Sequence, residues 1–249
     1  MRWHCRKDGS LVFIEGFAVP LRSEAGELTG FLKIGQDVTE RMQAHEHERM
    51  LLAELQHRVR NTLAVVRSIA IRTAQSSADV EEMSSHLQGR LAALSRVQAV
   101  VTRNPGVGIE LTSLVEDELL AHAAQEGPRL RIRGEEVRLQ VKAAESLSLA
   151  VHELTTNAVK YGALSNGTGR LEIGWRLEGD AGTEMLRFHW RERNSGSPDR
   201  QGHEGFGTEL LLRSLPYELD AETALDFAKD GIRFEMAIPA DRVLAKEPA

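Results

Sequence analysis

A single cysteine, Cys5, in 249 residues excludes an intramolecular disulfide and any cysteine-based zinc cluster, and makes a reducing cytoplasm the natural setting. An excess of positive charge is also missing. Lys and Arg number 31 against 37 Asp and Glu, for a net charge of −6 and a pI near 5.9. A general nucleic-acid binder would carry a basic footprint, so that class is set aside. No apolar run approaches the length of a membrane span, and the charged start has no signal-peptide core, so a soluble chain is expected. What the chain does have is enough apolar residue, 41% of the total, to build ordinary cores, over a length that suits two modest domains rather than one.

Punctuation and periodicity divide the chain. Arg6-Lys7-Asp8-Gly9-Ser10 and Glu24-Ala25-Gly26-Glu27 read as turns between extended segments at Leu11 to Pro20 and Leu28 to Gln36. Asp37-Val38-Thr39-Glu40-Arg41 hands over to a helix from Met42 to about Gln75. Within it His45 and His47 point to different faces, which argues against a metal site. Ser76 to Asp79 makes a turn in which Ser77 or Asp79 can cap the next helix. That helix runs to about Arg103 on a seam of Met83, Leu87, Leu91, Leu94, Val97 and Val101. Asn104-Pro105-Gly106-Val107-Gly108 then stops it and makes a hinge. Beyond the hinge the pattern predicts a helix from Leu111 to about Gln125, capped by Thr112 or a neighbour, and strands at Leu130 to Arg133 and Val137 to Val141. After a further helix come alternating strands through Leu171, Ile173, Trp175 and Leu177, through Leu186, Phe188 and Trp190, and through Ile232, Phe234, Met236 and Ile238. Antiparallel strands with helices on one face give an α/β sandwich. Asp241 to Ala249 reads as a frayed end.

Two helices carry residues suited to chemistry. In the first, Leu52, Leu55, Val59, Val66 and Ile69, with Thr62 and Thr73, take the alternating three- and four-residue steps of a packed seam. His57 lies about 200° around from Leu55 and Val59, so it faces solvent as an available nucleophile. Asn61 follows one turn later, and Arg58 and Arg60 supply positive charge that suits a phosphoryl group in transit. In the helix after the strands, Leu147, Val151, Leu154, Ala158 and Tyr161 make the buried face. Glu153, Asn157 and Lys160 form a parallel stripe: a carboxylate, an amide oxygen and an ammonium on successive turns, able to act as base, magnesium ligand and phosphate contact. Gly162, Gly167 and Gly169 then open a flexible connection.

Together these segments resemble the HWE family of sensor histidine kinases, a branch of the two-component kinases, and the resemblance covers most of the chain. Glu54-Leu55-Gln56-His57-Arg58-Val59-Arg60-Asn61 is similar to the family's H-box, and His152 through Ser165 to its N-box, with His152 as the histidine of the family's name. Trp190-Arg191-Glu192 looks like the W-x-E element, and Gly205-Phe206-Gly207-Thr208-Glu209-Leu210 like the second glycine box of the ATP-binding domain. Residues 1–41 look like the C-terminal strands of a PAS sensor domain and Asp37 to Arg41 like its exit. These strands are expected either to be the remnant of a truncated frame or to pack on the helices that follow.

The resemblance implies an α+β architecture. Partial PAS strands (1–41) precede a signalling helix and histidine phosphotransfer hairpin (42–104), half of a four-helix bundle that a homodimer completes. A GHKL-type (Bergerat) ATP-binding domain (105–242) and a tail (243–249) follow. It implies autophosphorylation of His57 from Mg²⁺-ATP and transfer to the aspartate of a response-regulator receiver, in the cytoplasm, without nucleic acid or membrane span. Nucleotide would be held by Asn157, which also carries Mg²⁺, and by His152, Lys160, Trp190, Gly196, Gly205 and Gly207. Glu192 would emerge at its strand end to accept the adenine amino proton. Glu153 would orient or deprotonate the attacking imidazole or an intermediary water. Arg193 to Pro198 departs from the family's first glycine box, and residues 195 to 204 read as a short polar lid. Two rivals are a nucleotide-binding scaffold without catalysis and a related kinase that phosphorylates a protein serine.

Overall fold

The computed structural model describes residues 2–104, 106–165, 167–180, 182–193, 205–228 and 231–245. The chain divides into two compact units, Met1–Val66 and Arg67–Ala249, and the division falls within one long helix.

In the first unit β1 (Arg2–Cys5), β2 (Leu11–Arg22) and β3 (Leu28–Asp37) form an antiparallel sheet in that order. Both predicted turns form around glycines at φ +84°, a left-handed conformation that costs glycine nothing. The exit motif works as a fastener. The Asp37 carboxylate accepts from the Thr39 amide at 3.0 Å and hydroxyl at 2.6 Å, and the Thr39 hydroxyl accepts from the Phe13 amide at 2.8 Å. Helix α1 (Thr39–Ser76) is thereby tied at its first residue to the middle of the sheet.

The second unit takes the last turns of α1 and everything after them. Asp79, rather than Ser77, caps α2 (Val80–Arg103): its carboxylate accepts from the Glu82 amide at 2.8 Å, while Glu82 reaches back to the Ala78 amide at 2.7 Å. After the hinge, β4 (Ile109–Glu110) pairs with β6 (Arg138–Leu139), with α3 (Leu111–Ala121) and β5 (Leu130–Gly134) between them. The predicted strand over 137–141 is cut to two residues because Val141 opens α4 (Val141–Lys160). Helix α3 is shorter than predicted. Thr112 is not its cap, since Glu110 holds that position without a side-chain bond, and the chain leaves the helix through Ala123 at φ +57°.

The main sheet has the order β5-β7-β8-β10-β9, with β7 (Arg170–Glu178), β8 (Met185–Arg193), β9 (Glu222–Ala228) and β10 (Gly231–Pro239). It is mixed rather than wholly antiparallel, because β5 runs parallel to β7. Helix α4 lies between the two in sequence and carries the chain back to the end at which β5 began, the crossover that a parallel pair requires. β9 was not predicted: it is an edge strand whose residues are half-buried or exposed, so its apolar signal is weak. The predicted alternation holds elsewhere. Ile173 stands opposite Trp190 and Trp175 opposite Phe188, and β10 sets Phe234 and Met236 beside the same two residues. All six are buried.

Helix α4 is buried on nearly every side, including Ser146, Ser148, His152, Glu153 and Thr155. Helix α2 packs antiparallel along it, with the Ser148 hydroxyl donating to the Ala93 carbonyl and the Gln98 amide to Glu145. The segment after the second glycine box is a helix interrupted by a π turn: α5 (Phe206–Glu209), the π turn (Leu210–Ser214) and α6 (Leu215–Leu219). Pro216, which has no N–H to donate, accounts for the break in α-helical bonding there. The part of the C-terminal segment that is described, residues 241–245, is anchored rather than frayed, and residues 246–249 lie outside the described residues. In α7 (Ala240–Val243) Val243 is fully buried, its carbonyl accepts from the Gln140 amide, and the Ala245 amide donates to the Arg138 carbonyl. The Gln140 side chain, bonded to the Asp241 and Leu244 carbonyls, satisfies groups that an unattached end would leave to water.

Candidate functional site

In the first unit the helix around His57 is exposed on every side from residue 51 to 61. His57 and Asn61 face solvent as predicted, but so do three residues read as a packed seam: Leu52, Leu55 and Val59 are half or more exposed, as is Leu63 beside them. The seam is buried only further along, at Ile69 and Thr73. Arg58 is paired one turn back with Glu54, Nη2 to Oε1 at 2.5 Å, and Arg60 Nε donates to the Gln56 carbonyl at 3.2 Å. The charge beside His57 is thus held along the helix by local bonds.

In the second unit the stripe on α4 meets three different surroundings. Glu153 is 7% exposed and ion-paired with Arg90 of α2, Nε to Oε1 at 2.7 Å and Nη2 to Oε2 at 3.2 Å. Asn157 is half-buried one turn on. Lys160 is exposed, with Nζ 3.0 Å from His86 Nε2 on α2. Burial, then the nearby charges of Lys160 and Arg90, hold the His86 imidazole below the ordinary histidine range. Tyr161 is exposed rather than buried, because α4 ends at Lys160 and the chain turns away there. The second glycine box lies against the stripe. A Cβ placed on Gly207 would stand 3.1 Å from Glu153 Oε2 and 3.7 Å from Asn157 Nδ2, and Gly205 is the N-cap residue of α5. Gly196 and the predicted lid of 195–204 lie outside the described residues.

The W-x-E element acquires a physical explanation. Glu192 does not emerge at its strand end. It stands opposite Leu171 on the inner face of the sheet and is 2% exposed, because two residues on from Trp190 a strand faces the same side. Trp190 Nε1 donates to Glu192 Oε1 at 3.1 Å and the Ala163 amide donates to Oε2 at 2.7 Å. A Cβ on Gly162 would fall 2.0 Å from that second oxygen, so a side chain there would displace the carboxylate. Burial raises the Glu192 carboxyl above the usual range, and the two donors offset part of the rise.

His152 turns to the other side of α4. Its Nδ1 lies 2.6 Å from Glu118 Oε1 on α3, and its Nε2 occupies the space where a Cβ on Gly89 of α2 would sit. Glycine in mid-helix costs about 1 kcal/mol; at Gly89 it lets α2 close on the imidazole. Glu118 also binds the Arg96 guanidinium. Burial acts to raise the Glu118 carboxyl, but His152 and Arg96 outweigh it and hold it below the usual range. His122 approaches the same carboxylate, so Glu118, His122 and His152 could jointly offer metal-ligand atoms within 4.8 Å of one another. Arg96 already supplies the cation that the carboxylate requires.

Sequence reasoning passed over Arg90, Arg96, Glu118 and His86. A signal existed for Arg90: it lies three residues after Leu87 and four before Leu94, on the apolar face, where an arginine needs a buried partner.

Residues 54–136 match the HWE histidine kinase family. The chain is 33% identical over 214 residues to a blue-light-activated histidine kinase of Brucella anthropi, covering 86% of this chain and 44% of that protein. To the blue-light-activated histidine kinase of Brucella ovis it is 32% identical over 223 residues, 88% of this chain and 46% of that one. The chain therefore spans less than half the length of these relatives. In structure it is similar to the blue-light activated histidine kinase EL346 of Erythrobacter litoralis, with a TM-score of 0.50 at 22% identity over 95% of this chain and 73% of that one, which establishes a shared fold. No helix among the described residues is long and apolar enough to cross a membrane. With its H-box, N-box and W-x-E segments in order and a helical region joined to an α/β domain of the ATP-binding kind, the chain belongs to the HWE family of histidine kinases.

Proposed function

We propose that this chain phosphorylates His57 from ATP and passes the phosphoryl group to an aspartate on a separate response-regulator receiver domain. The observation that carries the reading is Glu192, a buried carboxylate whose two oxygens each accept one bond, from Trp190 and from the Ala163 amide. The lone pairs left over can accept the exocyclic amino group of adenine, and such a donor favours the ionised carboxylate against the burial that opposes it.

The residues present fit a magnesium nucleotide. Asn157 offers an amide oxygen suited to Mg²⁺, which keeps most of its waters and takes few protein ligands. Gly205 and Gly207 carry no side chain that would keep phosphate oxygens from their backbone, and a Cβ on Gly207 would stand 3.1 Å from Glu153 Oε2 and 3.7 Å from Asn157 Nδ2. When bound, Mg²⁺ spreads the charge of the group in transfer. Lys160 reaches a phosphate only after leaving His86. The Glu153 lone pairs that face Arg90 become available to a water or a proton only after Arg90 has released them. At His57 an N–P bond forms as the γ-phosphorus separates from the ADP oxygen, and the ring proton passes to a base. Arg58 follows the histidine where a carboxylate would be needed to help dephosphorylation, so phosphatase activity is weak or runs through Asn61.

In this reading residues 105–242 are the ATP-binding domain, of the GHKL type, and swing about the 104–108 hinge, where Gly106 and Gly108 hold φ of +83° and +76°. Residues 1–41 are PAS strands. The exposed apolar residues Leu52, Leu55, Val59 and Leu63 support a homodimer whose bundle covers them. The cytoplasm is the setting in which ATP and a receiver domain meet.

The test is incubation with Mg²⁺ and γ-labelled ATP beside His57→Ala and Asn157→Ala. Acid-labile label that disappears in both variants is the expected result. Acid-stable label, or nucleotide binding without any label in the full-length protein, would select the serine-kinase or the scaffold reading instead.

A further inference from the structure

Arg90 belongs to none of the motifs, yet it binds two of them, through Glu153 of the N-box segment and Phe206 of the glycine box. The residue is 3% exposed and each guanidinium nitrogen has a partner. Two nitrogens bind both oxygens of Glu153, Nη1 donates to the Thr73 hydroxyl at 2.7 Å, and the guanidinium carbon lies 3.7 Å from the centroid of the Phe206 ring. The last turns of α1 reinforce this hold on the glycine-box helix. Arg72 Nη1 donates to the Ser214 hydroxyl at 2.5 Å and lies 3.8 Å from Glu209. Four elements therefore meet on one cation: α1 through Thr73, α2 itself, α4 through Glu153, and α5 through Phe206.

The position of Gly207 gives this junction its consequence. Since even a Cβ added to Gly207 would already stand 3.1 Å from Glu153 Oε2 and 3.7 Å from Asn157 Nδ2, there is no room for a triphosphate between Gly207 and α4 unless the box moves outward. Phe206, its neighbour, cannot move outward while it stays stacked on Arg90. Nor can Glu153 offer to phosphoryl transfer the lone pairs that Arg90 occupies while the pair is intact.

We propose that Arg90 is an autoinhibitory latch: by binding Glu153 and stacking on Phe206 it holds the glycine box closed onto α4 and keeps α2 docked there, so that nucleotide entry and loosening of α2 from α4 are one coupled event. The proposal rests on the nucleotide-binding reading given above. Coupling of this kind is reciprocal: whatever weakens the latch tightens nucleotide binding by the same factor by which nucleotide weakens the latch.

Two variants test it. Arg90→Lys keeps a cation beside Glu153 but gives up the two-pronged bond and most of the stacking. Thr73→Val keeps the Arg90–Glu153 pair and removes the anchor on α1, together with the local bond from the Thr73 hydroxyl to the Ile69 carbonyl, at a residue outside every nucleotide motif. It supplies the test if Arg90→Lys melts below the assay temperature. The measurements on the full chain are the Kd of a fluorescent Mg²⁺-ADP analogue, and amide hydrogen exchange of residues 86–97 with and without Mg²⁺-ADP. The latch predicts roughly five- to tenfold tighter nucleotide binding in Arg90→Lys, the size expected for losing part of a cation–π contact while a cation is kept. It predicts a smaller change of the same sign in Thr73→Val, and faster exchange along α2 when nucleotide binds the unmodified protein. Unchanged or weaker binding by folded variants, or protection of α2 by nucleotide, would overturn the latch and leave the nucleotide reading standing. An unmodified chain that binds no Mg²⁺-nucleotide would overturn both.

Discussion

Two arginine–glutamate pairs, one in each unit, have almost the same chemistry and very different settings. Arg58 and Glu54 lie one turn apart on α1, both more than half exposed. Arg90 and Glu153 are 63 residues apart and nearly sealed from water. The first pair is a product of local spacing, and any helix carrying those residues would form it. The second exists only because α2 lies on α4. The contrast extends to the motifs around the pairs: the H-box is displayed on an isolated stretch of helix, whereas the N-box is embedded in packing that dictates what each of its side chains can do.

The sharpest way to break the comparison is to truncate both arginines. Arg90→Ala leaves Glu153 as an unpaired buried carboxylate and is expected to cost about 3–5 kcal/mol. Arg58→Ala is expected to cost no more than about 0.5 kcal/mol, the range of an exposed helical pair. Urea unfolding of the two variants checks both figures, and equal losses would mean that Arg90 is not the junction described above. A smaller effect is expected at the other buried carboxylate. Trp190→Phe preserves the ring but removes the donor to Glu192, at about 1–3 kcal/mol of stability. Nucleotide affinity should fall with it, and an unchanged Kd would detach Glu192 from base recognition.

The smallest effect is one of pH. Burial first, then the charges of Lys160 and Arg90, with Glu82 and Glu153 opposing them, hold the folded pKa of His86 below its unfolded value. A group depressed in this way contributes stability above the unfolded pKa, about 6.5, that is lost as pH falls through the folded value. His86→Gln should therefore flatten the decline of Tm on the acid side of about pH 6.5 and leave Tm at pH 8 nearly unchanged. An identical acid limb in both proteins would show that the His86–Lys160 contact does not govern it.

Much of the architecture was legible before any coordinates, where the cause was local. The apolar alternation of β7, β8 and β10, the turns at Gly9 and Gly26, a cap at Ser77 or Asp79 and the exposure of His57 all follow from periods of two or 3.6 residues and from turn chemistry. Non-local pairing is where local reasoning failed. The parallel β5–β7 pair, the edge strand β9 and the anchoring of residues 241–245 depend on partners distant in sequence. Glu192 was misplaced for a subtler reason: the same alternation that put Trp190 inward puts Glu192 inward too, and only the donors from Trp190 and Ala163 make that burial tolerable.

By itself, then, the sequence determined which residue types stand on which face: a histidine in the open on α1, a carboxylate, an amide and an ammonium along α4, and glycines ahead of α5. Those facts are written in helical and strand periodicity, which a chain carries wherever it folds. Only the tertiary structure decided their electrostatic state. Glu153 is bound by Arg90, His152 by Glu118, and Glu192 by an indole and an amide, because a buried polar group must be satisfied and its partner comes from whichever element packing brings to it.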